Sequence, residues 1–173
     1  TGEEAPDAGE IPYPPATENL HYEAELVIAI GTAGAHISQD QALNHIWGYA
    51  TGNDLTRRDV QAQAKNMARP WDMAKGFDNS APCGTIHPVD AVGHLSSARI
   101  QLRQNGEIRQ DSDIADMVWS VPEIISYLSG LVELCPGDLI FTGTPAGVGP
   151  ITPGDVLTVE IDGLTAVTTK IAK

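Results

Sequence analysis

A chain of 173 residues, 42% hydrophobic and 19% charged, is long enough to bury one core and too evenly composed for a disordered or fibrous protein. Its formal net charge of -13 argues against nucleic acid or an anionic membrane as partner, because such surfaces need clustered Lys and Arg. No stretch approaches the roughly 18 apolar residues of a membrane span, and TGEEAPDAGE lacks the basic and apolar parts of a secretion signal, so a cytoplasmic protein is expected.

Residues 1–19, TGEEAPDAGEIPYPPATEN, are rich in proline, glycine and acid and read as an extended arm or loop in which a core strand is not expected. A single domain then spans residues 20–173. From Leu20 to Ile30 the pattern is that of a strand: His21, Glu23 and Glu25 share one face, Leu20, Tyr22, Ala24 and Leu26 the other. The run ELVIAIG continues as a buried segment that Gly31 ends. SQDQALNHIWGY offers Ser38 as an N-cap for a short helix, and WGYATGND leads through a strand towards Asn53. NDLTRRDVQAQA reads as the first turns of a helix with Asn53 or Asp54 near its start, and Pro70 closes that region.

KGFDNSAPCGTIHPVD is loop-like, and ARIQLRQNGEIRQ is the clearest hairpin, with Asn105-Gly106 as a type I′ turn. VPEIISYLSGLVEL is an amphipathic helix with Pro122 in its first turn. CPGDLIFTGTPAGVG is a buried strand entering a glycine-rich loop, and PGDVLTVEIDGLTAVTTKI is a second hairpin turning at Asp162-Gly163. The sum is an α+β chain that is mostly β. Cys83 and Cys135 have no metal-type spacing and are expected as two buried free thiols.

On a strand, Glu23 and Glu25 project to one side about 6.5 to 7 Å apart, and two such anions repel unless something positive sits between them. With Asp54 as a third carboxylate, they form an all-oxygen site for a hard divalent cation, Mg2+ or Mn2+ rather than zinc. Spacing alone fits the solvated face of an edge strand more readily than a metal site. Asp54, Arg58 and Gln61 recur at i, i+4 and i+7, which on a helix makes one polar stripe, either facing a substrate or facing solvent. Lys75 could present an ammonium to an anionic substrate or be an ordinary surface lysine. TGTPAGVG, Thr142 to Gly149, lacks both the P-loop ending and the GxGxxG spacing, which rules out a nucleotide loop. Its backbone N–H groups and the Thr144 hydroxyl can hold a carboxylate or enolate oxygen, or form a plain tight turn. His21 could be a base, with a structural hydrogen bond as the plainer reading.

In that order, LHYEAELVIAIG, WGYATGNDLTRRDVQ, AKGFDNSAPCG and DLIFTGTPAGVGPITPGDVLTVEI resemble the fumarylacetoacetate hydrolase family, in its acylpyruvate and fumarylpyruvate hydrolase branch. The resemblance implies a mixed β-sheet roll or barrel with short helices, usually a homodimer. By the same likeness Glu23, Glu25 and Asp54 would hold Mg2+ or Mn2+, while Arg58, Gln61, Lys75 and Thr144 would bind a small oxo-acid substrate, Arg58 and Lys75 taking the catalytic part. Family members also carry an N-terminal portion with a GRNY-like motif and a His/Glu pair on a mobile lid. The present sequence begins after that point, and His21, which directly precedes the acidic pair, is not that lid histidine.

The activity implied is metal-dependent hydrolysis of a carbon–carbon bond in a 1,3-diketo acid, to pyruvate and a carboxylic acid. Two other readings stand beside it: oxaloacetate decarboxylation or oxo-acid isomerisation through the same enolate, and, should the lid be absent, a non-catalytic organic-acid or metal-binding protein.

Overall fold

The structure is a computed structural model that describes residues 7–173. In chain order its first strands are β1 (Asp7–Ile11), β2 (Leu20–Tyr22), β3 (Ala24–Ile30), β4 (Ile46–Asn53), β5 (Thr56–Arg57) and β6 (His87–Pro88). Then come β7 (Arg99–Gln104), β8 (Glu107–Asp113), β9 (Leu139–Phe141), β10 (Gly149–Ile151), β11 (Val156–Ile161) and β12 (Val167–Ile171). The helices are short: α1 (Arg58–Asn66), α2 (Asp72–Lys75), α3 (Val89–Val92) and α4 (Val121–Ser129).

Three sheets result, ordered β1-β12-β11-β7-β8, β10-β2-β5 and β6-β4-β3-β9. They pack as a mixed, mostly β fold with no closed barrel among the described residues. β3 is central in its sheet and buried at all seven positions, which explains its unbroken apolar run. β11 instead alternates, burying Leu157, Val159 and Ile161 while Glu160 faces water. Leu26, Ile28, Leu102, Leu157 and Ile171 are each 1% exposed or less. Burial of such a side chain stabilises the fold by about 1.5–3 kcal/mol.

The β7–β8 hairpin forms at Asn105 (φ 54°) and Gly106 (φ 84°), both in the left-handed region that a type I′ turn requires. Pro122 opens α4, and Ser120 and Glu123 close a capping box around its first turn. At Asp162-Gly163 the chain does turn, with the Leu164 N–H donating to the Ile161 carbonyl at 3.0 Å. Pairing of β11 with β12 resumes only at Val159 and Val167, so the connection is longer than a tight hairpin.

Several local expectations need correction. Within the expected arm, residues 7–11 form an edge strand, pairing in parallel with β12 and burying Ile11. An edge position suits a segment flanked by prolines, since only one side of it must be hydrogen-bonded. Its residues 1–6 lie outside the described residues. The segment from Leu20 to Ile30 is two strands in two sheets, broken at Glu23. The short helix after Ser38 is a 3-10 turn, Ala42–His45, with Gln41 at its cap position and no side-chain cap. The helix expected from Asn53 or Asp54 begins only at Arg58, because Thr56 and Arg57 first pair with β2. Both cysteines are free thiols, but Cys135 is exposed and Cys83 half-buried.

Candidate functional site

The break at Glu23 organises the site. Where β2 leaves one sheet and β3 enters another, two backbone N–H groups lose their ladder partners. The Glu23 N–H donates to Asn53 Oδ1 at 3.0 Å and the Ala24 N–H to Gln110 Oε1 at 3.0 Å. Two buried amides thus take the place of a neighbouring strand at the point that carries the acidic pair. Asp54 lies in the connection from β4 to β5, where its N–H donates to the Glu23 carbonyl at 2.8 Å. One carboxylate oxygen each from Glu23, Glu25 and Asp54 then lies within 4.8 Å of the others.

Around this trio the structure gathers the other residues singled out in the sequence. Arg58 Nη2 donates to Glu23 Oε1 at 2.6 Å and Arg58 Nη1 to Gln61 Oε1 at 2.8 Å. Lys75 Nζ donates to both Glu23 Oε2 and Asp54 Oδ2 at 2.6 Å. The expected stripe is only partly right: Arg58 and Gln61 are i and i+3 on α1, but Asp54 precedes the helix and arrives from the connection. Lys75 ends the single turn α2, which one turn of pattern could not announce. His21 makes the plainer structural contact, Nε2 to Asn19 Oδ1 at 2.9 Å, and burial with the nearby Arg58 lowers its pKa.

The glycine-rich loop reaches the trio through main chain. The Gly143 N–H donates to Glu25 Oε2 at 2.7 Å, and Thr144 Oγ1 accepts from Gln110 Nε2 at 2.9 Å. Gly147 sits at φ 102° with the Arg109 carbonyl oxygen 2.4 Å from where a Cβ would stand, so only glycine lets the loop lie this close to β8. A cavity of about 580 Å³ opens beside the loop, lined by residues 142–146 together with apolar side chains such as Leu26, Ile100, Met117 and Trp119. None of the three carboxylates lines it.

Three carboxylates against two cations leave the cluster short of positive charge. Burial, reinforced by Asp54 and Glu23, pushes the Glu25 carboxyl up to about 8 although the Gly143 N–H and Lys75 pull the other way. Burial also raises Asp54 despite its bond from Lys75. Burial disfavours the Lys75 ammonium, yet its two carboxylate partners outweigh that and raise its pKa. The donors are all hard oxygens close together, two of them buried and that of Asp54 half-buried, which fits a divalent cation such as Mg2+ or Mn2+. Lys75, already seated between Glu23 and Asp54, shows where positive charge is drawn.

A pH dependence follows. In the metal-free fold Glu25 keeps its proton to about pH 8, whereas an unfolded glutamate releases it near 4.5. The folded state therefore binds more protons across that window, and this group's contribution to stability falls as pH rises through it. A cation that replaces the proton should then stabilise most at the alkaline end. Melting temperatures measured with EDTA and with saturating Mn2+ at pH 6 and pH 8.5 should show the larger Mn2+ gain at pH 8.5; an equal gain at both would contradict this.

Sequence reasoning did not find Gln110 or the role of the Asn53 amide; it expected loop N–H groups to hold a carboxylate, and the one that does so is that of Gly143, on Glu25. A family model described as Fumarylacetoacetate (FAA) hydrolase C-terminal matches residues 4–172. The chain belongs to the fumarylacetoacetate hydrolase family. Within it, the chain is 45% identical over 154 residues to a fumarylpyruvate hydrolase of Ralstonia sp, covering 89% of this chain and 80% of that protein. It is 38% identical over 169 residues to the mouse mitochondrial oxaloacetate tautomerase FAHD1, covering 98% and 76% of the two chains. The crystal structure of fumarylpyruvate hydrolase from Pseudomonas aeruginosa, in complex with Mn2+ and pyruvate, superposes with a TM-score of 0.94 at 48% identity, covering 96% of this chain and 73% of that one. The family's members include metal-dependent enzymes, and the Glu23, Glu25 and Asp54 group could bind a divalent metal.

Proposed function

We propose that this fumarylacetoacetate hydrolase family chain serves a divalent-metal-dependent acylpyruvate hydrolase, with fumarylpyruvate as the leading substrate. The observation that carries the reading is the trio of buried Glu23 and Glu25 with half-buried Asp54, in which Lys75 bridges Glu23 and Asp54 and Arg58 pairs with Glu23, in a chain 45% identical to a fumarylpyruvate hydrolase. In the reaction, water adds its oxygen to the distal carbonyl and the carbon–carbon bond to the pyruvyl unit breaks. The released electron pair becomes the pyruvate enolate, which takes up a proton, so that the products are a carboxylic acid and pyruvate.

A cation on Glu23, Glu25 and Asp54 would supply Lewis-acid polarisation of the 2-oxo acid oxygens. The chain's own groups do the remainder. Arg58 is held in place by Gln61, so its guanidinium can bind a substrate carboxylate without first being ordered. Lys75, whose ammonium reaches both Glu23 and Asp54, would neutralise the negative charge that develops on the leaving enolate. The Thr144 hydroxyl would donate to a substrate oxygen from the loop. Mg2+ or Mn2+ dependence, homodimer assembly, a cytoplasmic location and a part in aromatic breakdown belong to the same proposal.

The intact protein is expected to remove the ultraviolet absorbance of a 1,3-diketo acid when Mg2+ or Mn2+ is added, and not when EDTA is present. Lack of turnover on every acylpyruvate tried would overturn the hydrolase reading. A second reading is supported by the likeness to oxaloacetate tautomerases across 98% of the chain. Tautomerisation needs the same grip on a 2-oxo acid but no attacking water. Oxaloacetate followed by NMR separates the outcomes, since enol–keto exchange conserves the compound, decarboxylation releases CO2, and hydrolysis of an acylpyruvate yields two acids.

A further inference from the structure

We infer that Gln110 is a positioning residue that couples the acidic strand to the Thr144 loop and fixes the Thr144 hydroxyl as a hydrogen-bond donor towards the substrate; this rests on the reading of the site given above. β8 supplies it through a bulge. With a regular Asn105-Gly106 hairpin, Gln104 pairs with Glu107, Arg103 with Ile108, and the exposed Arg109 would face the fully buried Leu102. The register slips by one residue between Leu102 and Arg103, and Leu102 pairs with Gln110 instead. Arg109 becomes the extra residue, and Gln110 is turned inward on a strand whose neighbours 107, 108, 109 and 111 are exposed.

Gln110 is 1% exposed, and both ends of its amide are engaged. Oε1 accepts from the N–H of Ala24, the residue between Glu23 and Glu25. Nε2 donates to Thr144 Oγ1 at 2.9 Å and to the Pro145 carbonyl at 2.9 Å. The orientation of the amide is fixed by chemistry: an N–H can only face Oε1, and a carbonyl can only face Nε2. Thr144 Oγ1 must therefore accept from Gln110, and its own proton is left for another acceptor. A substrate carboxylate or carbonyl oxygen meets the requirement. One side chain thus ties the spacing of the acidic pair to the donor set of the loop.

The test uses the intact protein, Mn2+ and oxalate, a planar dicarboxylate that resembles the enolate of pyruvate. When ionised, which titration at alkaline pH ensures, Gln110→Glu keeps an acceptor for the Ala24 N–H but has no donor for Thr144 or Pro145, so it accepts the Thr144 proton and reverses that hydroxyl. By calorimetry, Gln110→Glu and Thr144→Val should each weaken oxalate binding about tenfold or more. The double variant should lose little beyond either single one. Mn2+ affinity, read from the free-ion EPR signal, should not weaken. Unchanged oxalate affinity in Gln110→Glu, or losses that multiply in the double variant, would overturn the inference while leaving the site's reading intact. Absence of oxalate binding by the wild-type Mn2+ protein would overturn both. If Gln110→Glu does not fold, the side-chain NH2 resonance of Gln110 in the Mg2+-loaded wild type carries the test: it should shift on adding oxalate, and an unmoved signal refutes the coupling.

Discussion

Asp54→Ala should abolish turnover and weaken Mn2+ binding by more than about a hundredfold, because groups that merely orient a metal ligand are already worth 10- to 100-fold. Asp54 reaches the cluster from a connection whose N–H is fixed to the Glu23 carbonyl, and its side chain is one of the two that hold Lys75. Its loss leaves Glu23 and Glu25 as two donors in a site that needs a third oxygen to favour a hard cation over water. Asp54→Asn separates charge from shape: it keeps an oxygen donor and the fold but removes one negative charge. An intermediate loss of Mn2+ affinity is expected, measured by calorimetry. Asp54→Ala with wild-type affinity would show that the cation binds elsewhere.

Lys75→Met should separate metal binding from chemistry. In the metal-free protein the ammonium hydrogen-bonds to Glu23 and Asp54, so it competes with a cation for the same oxygens. Removing it should leave Mn2+ affinity equal or tighter, while acylpyruvate turnover falls by about 10²–10³, the scale of a lost charge-stabilising or proton-transfer group. The metal-free variant should also melt lower than wild type, with Mn2+ restoring most of the difference, because Glu23 and Asp54 would lose the ammonium they share and only Glu23 would keep a cationic partner, Arg58. Turnover and Mn2+ affinity falling together would make Lys75 a structural counter-ion only.

What the sequence disclosed is what local chemistry determines. Asn105-Gly106 must turn, Pro122 must open a helix, and the unbroken run in β3 must be buried, so these were legible. The break at Glu23 was not, because the groups that permit it, Asn53 and Gln110, are 30 and 86 residues away. Alternation placed Glu23 and Glu25 together and suggested a shared cation, but it treated β2 and β3 as one strand. Asp54 was assigned to a helix because Asn-Asp is a good helix start. Tertiary pairing of Thr56 and Arg57 with β2 overrode that preference, yet brought Asp54 to the same place.

Gln110 was hidden by the bulge at Arg109. A strict two-residue period assigns that stretch of β8 to the wrong partner, and a lone glutamine in a charged strand gives no signal of its own. Lys75 was visible as a residue type but not as a contact. Its bridge from α2 to two carboxylates depends on how α1 and α2 fold back over β5. The family resemblance supplied the grouping that spacing could not, and the structure supplied the contacts on which the grouping can be tested.

Glu23, Glu25 and Asp54 together are expected to hold one divalent cation at which a 2-oxo acid binds. Crystals of the intact protein grown with Mn2+ and pyruvate, measured at the manganese absorption edge, test it most directly. One anomalous peak per chain is expected, within about 2.5 Å of a carboxylate oxygen from each of the three residues and with pyruvate oxygens completing its shell. A peak held by other residues, or pyruvate bound away from the ion, would rule out a shared carboxylate site for cation and oxo acid.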